Sequence, residues 1–284
     1  MIISIASGKG GTGKTTISTN LALSLGENVK LLDCDVEEPN AHLFIKPHIE
    51  QRKTVHTFVP SVDEARCNGC KKCAEICRFN ALTVIGKKVM VFPELCHSCE
   101  GCLKVCDQNA ILPGSRELGF VEKGSKDDIR FVQGCMRIGE AMSPPLIKKV
   151  REEIEEDELA IIDAPPGTSC PVITSMRNTD FVLLVTEPTP FGLHDLTLAV
   201  EAVKLLGIPC GIVINRANMG DKKVHEYAKR ENIPILMEIP FDRKIAEIYS
   251  HGKILVEEMP SWRDAFRQLQ KNIVNIVEHA QVSQ

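Results

Sequence analysis

The chain has 284 residues, 43% of them hydrophobic and 25% charged, with a formal net charge of −4. That length buries a substantial core and those proportions are ordinary for a globular chain. The slight acidity excludes broad charge attraction to nucleic acid or to an anionic membrane, and no apolar stretch reaches the ~18 residues of a spanning helix.

MIISIAS reads as a short strand that runs through a glycine loop into the helix TTISTNLALSLG, closed by Gly26. NVKLLDCD is a second strand, ending in acidic residues. Farther on, LAIIDAPPG, DFVLLVTEP, PCGIVINRA and PILMEIPF are compact apolar runs without period-two alternation, the pattern of strands covered on both faces. Helical patterns stand between them: PPLIKKVREEIEE, GLHDLTLAVEAVKLLG, KKVHEYAKRE and DAFRQLQKNIVNIVEHA. The alternation predicts an α/β fold with a doubly wound, mostly parallel sheet. EEIEEDE reads as a solvated helix end, and the apolar stripe of the last helix, poor in basic residues, as a face packed on the sheet.

Residues 58–113 break this rhythm. CNGCKKCAEICRFNAL is followed by CHSCEGCLKVCDQNAI, and every cysteine of the first copy recurs 29 residues later. Pro60 and Pro113 punctuate the approximate limits. The expected organisation is a discontinuous nucleotide-binding domain, 1–57 and 114–284, interrupted by a small cysteine-rich domain, 58–113.

Gly8-Lys9-Gly10-Gly11-Thr12-Gly13-Lys14-Thr15 satisfies G-x-x-x-x-G-K-[ST] between a strand and a helix, the context that motif requires. The glycines let backbone N–H groups curl around phosphate oxygens, and the helix N-terminus adds a favourable dipole. Lys14 is expected on the β- and γ-phosphates, the Thr15 hydroxyl on Mg²⁺, and Thr16 beside them in the nucleotide site. Asp163 ends a buried strand where it can hold a magnesium-bound water. Asp33 and Asp35 end the neighbouring one, where a carboxylate can orient the attacking water. Lys9 has no phosphate to serve in one chain, because Lys14 fills the inner position.

Twelve cysteines are many for such a chain, and eight fall between Cys67 and Cys106. The N-terminus shows no basic region followed by a cleavable apolar run, so a cytoplasmic location is expected. In a reducing compartment this spacing reads as metal or cluster ligation. C-x2-C-x2-C-x3-C occurs twice and resembles the run of two-cluster bacterial ferredoxins, in which the fourth cysteine of each run ligates the other cluster. The resemblance implies Cys67, Cys70, Cys73 and Cys106 around one [4Fe–4S] centre, and Cys96, Cys99, Cys102 and Cys77 around the other. Three cysteines at two-residue gaps overfill a tetrahedral zinc knuckle. The proline usual after each fourth cysteine is replaced by Arg78 and Asp107.

KGGTGKTT, DCDVEEPN, IIDAPPGT, TEPTPFGLHD and VINRAN together resemble the MinD superfamily, the deviant-Walker-A, SIMIBI-type P-loop ATPases, here with an inserted two-[4Fe–4S] ferredoxin domain. The Mrp/Nbp cluster carriers and nitrogenase iron protein are further relatives by this resemblance. It implies that ATP closes a homodimer in which Lys9 reaches the partner's nucleotide, that Asp35 positions the hydrolytic water, and that Asn215 reads the adenine ring with the Pro240–Asp242 loop nearby. Cys135 and Cys170 stand at the same offsets from Asp163 as the cluster cysteines of nitrogenase iron protein from its aspartate. They are either a site bridging two subunits or two cysteines without a redox role. The function this implies first is an ATPase whose nucleotide-dependent dimerisation gates electron transfer to, or docking with, a metalloprotein partner. An ATP-dependent scaffold or carrier for iron–sulfur or other metal clusters comes second, since the C-terminal C-x-x-C of the carriers is missing after Cys210. A positioning ATPase of the MinD/ParA kind comes third, with neither a DNA-binding nor a membrane-binding signature visible.

Overall fold

The computed structural model describes residues 1–282. In chain order the elements are β1 (Ile2–Ala6), α1 (Lys14–Leu25), β2 (Val29–Asp33), α2 (Ala41–Ile45), β3 (His48–Val62), α3 (Lys72–Ile76), β4 (Leu82–Ile85), β5 (Lys88–Val91) and α4 (Gly101–Lys104). There follow β6 (Ile111–Lys126), β7 (Ile129–Met136), α5 (Pro144–Arg151), β8 (Leu159–Asp163), α6 (Cys170–Met176), β9 (Phe181–Thr186) and α7 (Pro190–Leu206). The chain ends with β10 (Cys210–Asn215), α8 (Lys223–Arg230), β11 (Ile235–Ile239), α9 (Arg243–Ser250), α10 (Leu255–Glu258) and α11 (Ser261–Val282). They fall into two compact units. The first comprises 1–52, 121–135 and 147 onward; the second comprises 53–120 and 136–146.

The first unit is built on a sheet ordered β11-β10-β9-β1-β8-β2-β7, continued by β6 and β3. The pairings β10–β11, β9–β10, β1–β9, β1–β8, β2–β8 and β2–β7 are all parallel. Successive side chains of each strand go to opposite faces. Ile3, Ile5, Leu183 and Val213 join one buried cluster, with Ile17 and Leu21 of α1 and Phe266, Leu269 and Ile273 of α11. Val182, Leu184, Ile212 and Ile214 join another, with Val172 of α6, Leu196 and Val203 of α7 and Val224 of α8. Both faces are apolar, which is why the sequence shows unbroken runs. The stripe of α11 packs inward as its pattern predicts. Among the described residues, no helix is long and apolar enough to cross a membrane.

One expectation needs correction here. EEIEEDE is not simply a solvated helix end: α5 stops at Arg151, and Glu158 is buried against the buried Lys30, whose ammonium lies 3.1 Å from Glu158 Oε1 and 3.0 Å from Glu155 Oε1. A buried ammonium must be paired, so Glu158, at the end of the otherwise mostly exposed acidic run, turns inward to meet it.

In the second unit the 29-residue repeat is also a backbone repeat. Gly69 and Ser98, Lys71 and Glu100, and Asn80 and Asn109 all have positive φ, at matching places in the two copies. Each copy has one short helix, α3 or α4, between its second and fourth cysteines. The strands β3 and β6 run straight through Pro60 and Pro113. Besides the antiparallel pair β4–β5, this unit has a small core in which Cys73 and Cys102 are packed with Leu82, Val89 and Ile111.

Candidate functional site

The C-terminal ends of β1, β8, β2, β9 and β10 lie along one edge of the parallel sheet, where such folds place ligands. The register puts Asp163 beside both Ile5 and Asp33. The loop after β1 carries the phosphate-binding motif and enters α1 through Gly13, whose φ of +100° suits glycine. A Cβ there would also come within 2.5 Å of Asn215 Nδ2. Gly8 is pressed on α7, where a Cβ would sit 2.1 Å from the carbonyl oxygen of Asp195.

A cavity of about 470 Å³ opens at this edge, a size in the range of small-molecule sites. Gly10, Gly11, Gly13, Lys14, Thr15 and Thr16 line one side, and Asp35 and Asn215 stand nearby. Pro240, Phe241, Asp242, Ile245 and Tyr249 line the rest. Phe241 and Tyr249 give it apolar, half-exposed surface. Asn215 donates from Nδ2 to the carbonyl oxygen of Thr12 at 2.9 Å and so braces the loop itself. Asp242 caps α9, accepting from the Lys244 amide at 2.8 Å.

The electrostatics are those of a site prepared for a cation and an anion together. Lys14 is buried, which pushes its ammonium pKa down, while Asp163, Asp35 and Asp33 pull it partly back. Asp163 is 1% exposed, and neither carboxylate oxygen has a partner in full hydrogen-bond geometry, although the Thr15 and Ser18 hydroxyls lie close by. Its burial raises the pKa to about 6, offset in part by the Thr15 hydroxyl, Lys14 and the Ser18 hydroxyl. Asp35 is also pushed to about 6, by burial and then by Asp163. Asp33 accepts from the amides of Asp35, Asn40 and Ala41 at 3.0, 3.0 and 2.9 Å and shapes the loop that carries Asp35. A buried, orphaned carboxylate beside the Thr15 hydroxyl fits a hard divalent cation such as Mg²⁺.

Lys9 is not a free loop lysine. Its ammonium lies 3.7 Å from Glu187 Oε2, and Arg216 Nη1 lies 3.1 Å from Glu187 Oε1. Glu187 follows β9 and Arg216 follows β10, adjacent strands whose ends bring them together. Neither residue stands out in the sequence, although each lies within a run of the family pattern, TEPTPFGLHD and VINRAN.

Two further cavities lie in the second unit. One is lined by Cys67, Cys70, Cys73 and Cys106, with Asn68, Gly69 and Ile111 among its other walls. The other is lined by Cys77, Cys96, Cys99 and Cys102, with Phe79, His97 and Phe58. Each therefore draws three thiols from one run and the fourth from the other. Amide N–H groups point at sulfur in both: Ala110 to Cys106 Sγ and Ala81 to Cys77 Sγ, each at 3.3 Å, and Ser98 to Cys96 Sγ at 3.4 Å. Among the described residues, no three His, Cys, Asp or Glu side chains converge as a single-ion site. Four thiols spread around a cavity, with N–H donors to sulfur and Glu100 of the second cavity as the one carboxylate residue among the walls, suit a cluster whose corners are separately ligated. His97 stacks on Phe79 with ring centroids 3.5 Å apart, and Lys72 pairs with Asp107 across the repeat.

Cys135 and Cys170 belong to the first unit. Cys170 is exposed at the start of α6. Cys135 is half-buried near the end of β7, and burial and the charge of Glu122 raise its pKa, with Arg52 opposing them. Cys34 is fully buried, and burial likewise drives its thiol far up.

The chain resembles known proteins over most of its length. The family described as CobQ/CobB/MinD/ParA nucleotide binding domain matches residues 3–256. An uncharacterized protein of Methanocaldococcus jannaschii is 31% identical over 92% of this chain and 97% of its own. A protein of Anopheles gambiae named as a cytosolic Fe–S cluster assembly factor, Nubp2 homolog, is 27% identical over 97% of this chain and 96% of its own. The structure of the septum site-determining protein MinD with Mg-ADP from Pyrococcus horikoshii superposes with a TM-score of 0.60 at 20% identity, covering 96% of this chain and 95% of that one. With phosphate loop, strand-end carboxylates and parallel sheet in place, the chain belongs to the CobQ/CobB/MinD/ParA family of nucleotide-binding domains.

Proposed function

We propose that this chain is an ATPase that handles iron–sulfur clusters, working as an assembly factor or carrier that passes a cluster to an acceptor protein. The observation that carries the reading is the pairing, in one chain, of a phosphate-loop cavity with two cavities lined by four thiols each. The name of the Anopheles relative, similar over nearly the full length of both chains, favours assembly or delivery over the electron-transfer reading that the sequence put first.

In this reading ATP occupies the 470 Å³ cavity. Lys14 neutralises phosphate charge, and the Thr15 hydroxyl with Asp163 would hold Mg²⁺, which would supply charge stabilisation for the transferred phosphoryl group. Asp35, with its pKa raised to about 6, orients the attacking water. Asn215 and the Pro240–Asp242 loop border the base. On ATP binding two chains close into a homodimer, and Lys9 leaves Glu187 to reach the partner's nucleotide. A cation delivered in trans stabilises the same charge. Cys67, Cys70, Cys73 and Cys106 hold one resident [4Fe–4S] cluster, and Cys77, Cys96, Cys99 and Cys102 hold the other. These centres supply one-electron chemistry when bound. Cys135 and Cys170, outside both cavities, are the candidate thiols for a bridging or transferred cluster. Burial and the charge of Glu122 raise the Cys135 pKa and so disfavour its thiolate.

One observation favours a second reading. The fourth cysteine of each run lines the cavity of the other, so both clusters would be locked in by two segments, as suits electron transfer better than release. The experiment is an anaerobic transfer assay with reconstituted protein and an apo-ferredoxin acceptor. Faster delivery with ATP than with a non-hydrolysable analogue supports the carrier reading. No delivery, with an ATP-dependent shift in cluster potential, moves the function to electron transfer. Neither effect overturns both.

A further inference from the structure

The two cysteine cavities are alike in thiols but not in their support. In the second unit, Arg116 of β6 is 9% exposed and Glu140 has no exposed side-chain surface. They form a two-pronged ion pair, with Arg116 Nη2 2.9 Å from Glu140 Oε1 and Nη1 on Oε2. The same Nη2 donates to the carbonyl oxygen of Cys96 at 3.1 Å. Glu140 also accepts from the amides of Ala141 and Met142 at 3.1 and 3.3 Å. Arg137 begins the turn that Glu140 ends, the Glu140 amide donating to the Arg137 carbonyl at 3.1 Å. Arg137 in turn reaches Glu94 Oε2 at 2.7 Å, two residues before Cys96. The segment 136–146 thus grips the entry to the second cysteine run through two arginine–glutamate pairs.

The first run has nothing equivalent. Its Cys67 is approached by the local turn at Asp63, whose carbonyl accepts the Cys67 amide at 3.2 Å, and by an exposed Arg66–Asp63 pair at 3.1 Å. Among the described residues, no side chain donates to the Cys67 carbonyl. Arginine matters in the clamp because only a guanidinium can hold a carboxylate with two prongs and still offer an N–H to a carbonyl. Charge-assisted, two-pronged and buried, the pair is far stiffer than an exposed ion pair, and removing one partner strands the other's charge out of water.

We propose that Arg116 and Glu140 are positioning residues for the second cavity alone, holding the Cys96 backbone so that Cys96, Cys99 and Cys102 meet Cys77 around one cluster, while the first cavity assembles without them. The inference rests on the reading above that both cavities hold [4Fe–4S] clusters.

The test is iron content and the reduced-state electron paramagnetic resonance spectrum after anaerobic reconstitution of the full chain. Wild type should hold about eight iron atoms in two clusters, and Glu140→Gln about four. Two backgrounds assign the loss. Cys70→Ser spares the second cavity, so adding Glu140→Gln should empty it. Cys99→Ser spares the first, and there Glu140→Gln should change neither iron nor spectrum. Arg116→Lys, which keeps the charge but not the fork, should lose part of the second cluster only. Nucleotide binding checks that the first unit stays folded in every variant. Equal losses in both backgrounds would mean a merely structural role for the pair, and no loss in either would mean none; each overturns the inference. A wild-type chain that takes up no iron overturns the cluster reading itself and this inference with it.

Discussion

The two units reach a folded state by different routes. The first buries Ile, Leu and Val on both faces of a parallel sheet, and two apolar clusters hold it without any ligand. The second has a core whose buried members include Cys73 and Cys102, with Cys67, Cys77 and Cys106 packed against them, and its elements are as short as four or five residues. Where thiols stand in for isoleucines, burial alone contributes less, and in the reading proposed above ligation would supply the remaining stability. On that proposal the nucleotide site is a modification of a self-sufficient scaffold, whereas ligation at the cysteine cavities would complete theirs.

Removing iron is the harshest way to break that contrast. Chelation under reducing conditions, or Cys73→Ser with Cys102→Ser, should unfold the second unit and open 53–120 to protease, while nucleotide binding by the first unit stays within about twofold of wild type. Limited proteolysis with mass spectrometry and nucleotide titration read both halves at once. Loss of nucleotide binding together with the cysteine unit would show that the first scaffold is not self-sufficient.

The next effects belong to the two lysines. Lys14→Ala should abolish measurable ATP binding. Lys9→Ala should leave binding by a single chain nearly intact and lower kcat by roughly 10³-fold, the scale of a charge supplied in trans. Equal defects in binding for both would place Lys9 in its own chain's site.

What could be read without coordinates follows from range. The phosphate loop and the two cysteine runs announce themselves because their chemistry demands fixed spacing within eight and eleven residues, and the six apolar strands because they form unbroken apolar runs. The strands β3, β6 and β7 were not legible. Pro60 and Pro113 and the glycines at 114, 119 and 124 imitate loop punctuation, and most of β3 before Val55 is exposed. The partners of Lys9 and Cys96 were hidden for another reason. Glu187 is 178 residues from Lys9, and Glu140 joins the Cys96 loop through Arg116, 24 residues away. No periodicity carries such pairings.

A smaller effect is expected from pH. Asp35 and Asp163 both have folded-state pKa values raised to about 6 by burial, above the value near 3.9 of an unfolded aspartate. Between those values the folded chain binds more protons than the unfolded one, so the ligand-free protein loses stability as pH rises through the window. Mg²⁺ must displace the same protons. Magnesium-dependent nucleotide affinity should fall about tenfold from pH 7 to pH 5 for one such carboxylate, and calorimetry near pH 6 should detect proton release on binding. Affinity independent of pH across this range would mean that the strand-end carboxylates are not the cation's ligands.

The smallest and most discriminating test concerns how Lys9 is held. Its contact with Glu187, at 3.7 Å and with a third of the lysine side chain exposed, is loose, the class of ion pair worth about 0.2–1 kcal/mol. If Lys9 must leave Glu187 before acting on a partner's nucleotide, Glu187→Gln removes that hold and should raise dimer-dependent ATP turnover by about 1.4- to fivefold, the same energy expressed as a rate ratio. Arg216, 3.1 Å from the same carboxylate, sharpens the reading, because Arg216→Gln leaves Glu187 to Lys9 alone and should lower turnover. Opposite signs for the two variants would locate the effect in competition for one carboxylate. Matching losses in both would mean instead that Glu187 and Arg216 support the β9 and β10 ends as structure, and that Lys9 is not restrained by them.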